Sequence, residues 1–142
     1  MARQMKDLPT LPKRIQDEMV SLRRVAAGEV TVYQVRQRGK REAIGEVVLE
    51  LTAKEGIIQQ LSINEANRGY GAGSATAAAL FRSLARHYST VRAWAPPDQG
   101  LAVYFWMRMG FHPIPGDGPK GGLWFKQALH NQNRGQGARQ RG

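Results

Sequence analysis

The sequence predicts an α/β domain: a mixed, largely antiparallel sheet flanked by helices. Three observations predict it. Between Glu55 and Tyr88 an apolar strand, a glycine-rich loop and an alanine-rich helical segment follow one another. Two alternating, β-rich segments joined by short turns precede that unit, as in an antiparallel meander. A further strand, a helix and two more strands follow it. At 142 residues the chain has the length of one domain, with no internal repeat.

In chain order, Met1 to Pro12 reads as a loosely held arm punctuated by Pro9 and Pro12. Lys13 to Ala27 has Ile15, Met19, Leu22 and Ala26 at helical spacing and Gly28 as a stop, which predicts a helix with Arg23 and Arg24 on its outer side. Residues 1–28 are thus a basic arm and helix, 29–129 a core that forms one domain with them, and 130–142 a tail. Val30 to Arg36 and Ala43 to Leu51 alternate and predict two strands around the basic turn Gln37–Arg41. Ile57, Ile58, Leu61 and Ile63 mark the central strand. Ala77, Leu80, Phe81, Leu84 and Tyr88 share one face of the helix that follows the glycines. Thr90 to Ala95 predicts a short strand ended by Pro96 and Pro97, and Asp98 to Met109 a helix with Gly110 as its C-cap. Phe111 to Pro115 and Gly122 to Gln127 predict the last two strands. Asn131 to Gly142 is rich in Gly, Gln, Asn and Arg without apolar periodicity, the composition of a disordered basic tail.

The loop Arg68-Gly69-Tyr70-Gly71-Ala72-Gly73 and Ser74 carries the chemistry. A helix start leaves amides without intrahelical partners and concentrates positive dipole charge. Glycines let those amides approach an anion, and Arg68 adds a formal charge, so the loop reads as a phosphate cradle; the alternative is a tight turn that packs a helix on a sheet. The dinucleotide fingerprint is not met, because Ser74 stands where a third glycine belongs, and the mononucleotide loop lacks its lysine.

The spacing Arg68-x-x-Gly71-x-Gly73 resembles the pyrophosphate-binding motif R/Q-x-x-G-x-G/A of the GNAT superfamily of N-acetyltransferases. The run from Ala102 to Gly110 and Phe111 is similar to that family's later helix and Gly-Phe turn. The resemblance spans roughly Val30 to Leu129 and implies a GNAT-like sheet with a shortened N-terminal part. It implies acetyl-CoA as co-substrate. The pyrophosphate would sit on the amides of Gly69 to Ser74, including Tyr70 and Ala72. Pantetheine would pair with the backbone of Leu61 and Ile63, and Gln99 would stand where the family has an asparagine near the cofactor. The family's glutamate base on the central strand falls on Gln59, and its tyrosine acid falls on Trp106. Both are departures, since Gln is a poor base and an indole N–H can only donate a hydrogen bond. The remaining candidates are the carboxylates Glu46 and Glu50 on a neighbouring strand and Glu55 at the start of the central one. Glu50 is the catalytic candidate among them, and the alternative for each is a solvated or salt-bridged carboxylate. The implied reaction is direct attack of a primary amine on the thioester; the alternatives are a catalytically lapsed acetyl-CoA-binding protein and a nucleic-acid- or ribosome-associated basic protein.

Composition bounds the rest. The formal net charge is +10, from 21 Lys and Arg against 11 Asp and Glu. Such a chain attracts polyanions, so RNA or an acidic partner is expected at the arm, the basic hairpin or the tail. With no cysteine there is neither disulfide nor thiol nucleophile. No His/Asp/Glu spacing suggests a metal. No apolar run has transmembrane length, which predicts a cytoplasmic protein, monomeric or homodimeric, with no membrane partner.

Overall fold

Alternation rather than helical period governs the start of the chain. The computed structural model describes residues 8–96, 100–114 and 122–129. Its first elements are two strands, β1 (Arg14–Gln16) and β2 (Val20–Ala27), where the spacing of Ile15, Met19, Leu22 and Ala26 predicts a helix. The competing period-2 pattern wins: Ile15, Val20 and Leu22 are buried, whereas Met19, one of the four helical positions, is 45% exposed and Ala26 is exposed too. Arg14, Ile15 and Gln16 pair with Arg23, Leu22 and Ser21, and β2 then pairs with the next strand. The end of the arm is also tied down. Leu11 is buried, its carbonyl accepts from the Arg24 guanidinium at 2.6 Å, and the Pro12 carbonyl accepts from the Tyr33 hydroxyl at 2.5 Å.

The remaining elements follow the expected order: β3 (Thr31–Gln37), β4 (Ala43–Leu51), β5 (Gly56–Ile63), α1 (Ala72–Leu84), β6 (Thr90–Ala95), α2 (Gly100–Arg108), β7 (His112–Pro113) and β8 (Leu123–Ala128). They form one 8-stranded sheet in the order β1-β2-β3-β4-β5-β6-β8-β7. β1 to β5 are antiparallel, β5 and β6 are parallel, and the rest is antiparallel again. The parallel step is where a helix crossover is obligatory, and α1 supplies it.

Both described helices lie on one side of the sheet. α1 packs on β1, β2 and β5 and buries Ala72, Thr76, Ala77, Ala79, Leu80 and Leu84. Close approach explains Gly56: a β-carbon there would come within 3.0 Å of a Leu84 methyl. α2 lies beside α1, joined through Phe105 against Gly73 and through the rings of Phe81, Phe111 and Trp106. Beneath them Tyr33, Val35, Val47, Leu49, Ile58, Val91, Ala93 and Phe125 form the core. Full burial of one such Leu, Ile or Val side chain is worth about 1.5–3 kcal/mol. Among the described residues no helix covers the opposite side, because β2 and β3 are joined by the turn 28–30 alone.

Candidate active site

The strands β5 and β6 pair only at Gly56–Val91, Ile57–Arg92 and Ile58–Ala93. Beyond Ile58 they part. β5 continues to Ile63 against β4, with Val48–Gln60, Val47–Leu61, Glu46–Ser62 and Gly45–Ile63 in register. Its other edge, from Gln59 to Ile63, has no strand partner among the described residues. Leu61 and Ile63 therefore face this gap without a strand partner, the Ile63 carbonyl being taken by a side chain, while their own side chains turn to the helix side. The register also slips between Val48 and Leu49, leaving Gln59 as the extra residue of a β-bulge.

The gap leads to the start of α1. Gly69 and Gly71 adopt φ of 86° and 88°, a conformation that costs other residues about 1–2 kcal/mol. Gly71 caps α1 with no side-chain hydrogen bond, and there is no acid in the first turn. The first bond of the turn is donated by Ala75 N–H to Gly71 O at 3.0 Å. The amides of Ala72, Gly73 and Ser74 thus precede the hydrogen-bonded ladder. Arg68 donates from Nε to the Ile63 carbonyl at 2.7 Å, which fixes its guanidinium between the end of β5 and the loop. Tyr70 is 73% exposed at the loop tip. The set fits an anionic group followed by an amide-bearing tail: unpaired amides at a positive dipole end, a fixed arginine, and an open strand edge.

The candidates for proton transfer divide between two places. Gln59 Nε2 donates to Glu50 Oε1 at 2.9 Å. Both are half-buried, on the side of the sheet that no described helix covers. Trp106 is elsewhere: it is 3% exposed, edge-on to Phe105 at 4.9 Å and tilted on Phe111 at 5.0 Å. Its surroundings are those of a core ring. Glu46 is exposed on the open side, whereas Glu55 is held by Arg92 at 3.1 Å. Tyr104 is exposed on the outer side of α2. Gln99 lies outside the described residues, as do 1–7, 115–121 and the tail from residue 130. Among the described residues no group of His, Asp and Glu could hold a metal, and no helix is long and apolar enough to cross a membrane. The splay and the Glu50–Gln59 bond are the features that periodicity alone does not reveal. The closest sequence signal is the pair of glutamines, Gln59 and Gln60, in the middle of an otherwise apolar strand.

No family model matches the sequence, and no curated protein sequence matches it. Solved structures do. A probable acetyltransferase of the GNAT family from Chromobacterium violaceum superposes with a TM-score of 0.72 at 11% identity, over 85% of this chain and 89% of that one. A GNAT family acetyltransferase from Elizabethkingia anophelis with acetyl-CoA bound gives 0.60 at 13% identity, over 80% and 100%. Naa50 of Arabidopsis thaliana in complex with the bisubstrate analogue CoA-Ac-MVNAL gives 0.58 at 13% identity, over 69% and 72%. The chain has the fold of the GNAT superfamily, and its structural neighbours include acetyltransferases.

Proposed function

We propose that this chain transfers an acetyl group from acetyl-CoA to a primary amine by direct attack. The observation that carries the reading is the gap between β5 and β6, which runs from the uncapped start of α1 to the Glu50–Gln59 pair. When bound, acetyl-CoA supplies an acetyl group activated as a thioester. Arg68 and the amides from Gly69 to Ser74 hold its pyrophosphate, and the backbone of Leu61 and Ile63 pairs with its pantetheine. Glu50 accepts the proton of the incoming ammonium, directly or through one water. Gln59 holds that carboxylate by donating to it, so its loss would misplace the base rather than remove it. As the bond from nitrogen to the acetyl carbon forms, the C–S bond of the thioester would break and coenzyme A would leave as a thiolate that takes up a proton from solvent. Trp106 takes no proton in this scheme and stiffens the helix end beside the gap. The acceptor reaches Glu50 from the open side of the sheet, away from the side on which α1 packs. The working surroundings are cytoplasmic.

Titration calorimetry of acetyl-CoA into the protein, followed by mass spectrometry with a panel of amines, tests this. Binding that falls about tenfold or more in Arg68→Ala, together with acetylated amine, is the expected result. The absence of any binding heat or thermal shift at saturating acetyl-CoA would sink it. The second reading, an acetyl-CoA-binding protein without turnover, is favoured by Gln59 and Trp106 at the positions of the usual base and acid. It requires binding with an intact thioester across the whole amine panel.

A further inference from the structure

The open side of the sheet carries an arrangement that folding alone does not favour. Register places Arg14 directly opposite Arg23 on the outer strands β1 and β2, and both side chains are exposed. Arg23 is in turn opposite Gln34, and Ser21 is opposite Arg36, so Arg36 sits diagonally beside Arg23 on the same face. Like charges directly opposite one another destabilise a sheet. Neither Arg14 nor Arg23 has an ion-pair or hydrogen-bond partner among the described residues. Arg36 reaches only Gln34, through a long 3.4 Å contact, and its Nε is buried with no partner at all.

At the other end of the same face, Trp94 and Trp124 are directly opposite one another on β6 and β8. The Arg92 guanidinium lies 5.4 Å above the Trp124 ring, with Lys126 opposite Arg92. β2 and β8 are five places apart in the sheet order, about 24 Å at the usual strand spacing. The middle of the face mixes Gln34, Gln60 and Ser62 with the half-buried Val32, Val48 and Ile57, and the carboxylates Glu46 and Glu50 both belong to β4.

We infer that this helix-free face binds a single strand of nucleic acid. Its phosphates lie on Arg14, Arg23 and Arg36, and its bases stack toward Trp94 and Trp124. Charge complementarity supplies the argument, in a chain of net charge +10. The tryptophan pair chooses a nucleic acid over an acidic polypeptide, because base stacking needs an aromatic partner and a carboxylate chain does not. The inference does not rest on acetyl transfer, and a strand lying from β2 to β8 would cross the acceptor's approach to Glu50.

The test is fluorescence anisotropy with a labelled RNA of about 12 nucleotides, using the full chain without acetyl-CoA. The salt series compares the protein with R14E/R23E and with R86E/R108E, which changes net charge equally at exposed positions in the turn after α1 and at the end of α2. Circular dichroism confirms that each variant is folded. In the expected result, R14E/R23E weakens binding about tenfold or more. It also lowers the slope of log affinity against log salt by about 1.4, at roughly 0.7 per lost phosphate contact. R86E/R108E changes both by far less, and RNA quenches tryptophan fluorescence. Equal weakening by the two double variants would overturn the inference, as would binding lost on removal of residues 130–142 but untouched by R14E/R23E. Displacement of the RNA by polyglutamate as readily as by unlabelled RNA would reassign the face to an acidic polypeptide and overturn it too.

Discussion

The two sides of this sheet are built from the same strands and do opposite work. Along β3 the residues Thr31, Tyr33 and Val35 are buried, and Val32, Gln34 and Arg36 between them are only half-buried. One side supports both helices and holds the core; the other keeps Glu50, Gln59 and a row of unpaired arginines within reach of solvent. Where a strand must satisfy two masters, alternation lets each be changed with little effect on the other. The N-terminal strands show how the second side comes to be free. A direct turn at 28–30 joins β2 to β3, so nothing described in the chain returns to cover it.

Substitutions can break that separation or sharpen it. On the covered side Leu80, fully buried in α1, should lose about 2–5 kcal/mol of stability when changed to Ala. Arg23→Ala on the open side should stay within about 0.5 kcal/mol. Urea unfolding monitored by far-UV circular dichroism measures both, and equal losses would contradict the division. Glu50→Gln should lower acetyl transfer by about 10²–10⁴ fold while leaving acetyl-CoA affinity and the thermal midpoint unchanged. A parallel fall in affinity would mean that the two sides of the gap are coupled. Gly71→Ala should cost about 1–2 kcal/mol, since Gly71 has φ of 88°, and should weaken acetyl-CoA binding in calorimetry without altering the pH profile of transfer.

A pH-dependent effect concerns two tyrosines that hold the covered side to its surroundings. Burial pushes the Tyr88 hydroxyl up to about 12, and burial outweighs the lowering influence of Arg24 to push Tyr33 up to about 12 as well. Both pKa values are raised on folding, so the stability they contribute is complete below pH 10 and is lost as pH rises through about 12. Chemical denaturation across that window should show the decline, and Tyr88→Phe should make it shallower. Below the window Tyr88→Phe should cost about 1 kcal/mol, for the bond to the Thr52 carbonyl.

The centre of the fold was legible because its signals do not compete. Gly69, Gly71 and Gly73 after an apolar run and before an alanine-rich one allow few structures other than strand, loop and helix. β4 and β6 begin and end where alternation and the proline pair place them. The start of the chain was not legible in the same way. Ile15, Met19 and Leu22 satisfy a helical template while Val20 and Leu22 satisfy a strand template. What decides between them is β3 as a partner, which lies beyond the local window. The splay of β5 from β6 is not legible in the pattern, because a strand that leaves its neighbour keeps the same alternation as one that does not. The Glu50–Gln59 bond joins two side chains nine positions apart, and their separation says nothing about it until the register of β4 on β5 is known.

The irregularity at Gln59 works as a frame shift within a single strand. Ile57 and Ile58 point to opposite sides, and an unbroken strand would send Leu61 and Ile63 with Ile57, toward solvent. The extra residue instead returns Ile63 to the interior alongside Ile58, where it is buried, and puts Ser62 outside opposite Glu46. Deleting one residue at 59 or 60 would therefore remove the irregularity and leave Leu61, Ser62 and Ile63 on the sides they now occupy, in a strand that alternates without a break. Replacing either glutamine would change one position. A deletion scan along β5 should find its most tolerated site at these two exposed or half-exposed polar residues, where a substitution scan would find tolerance as well.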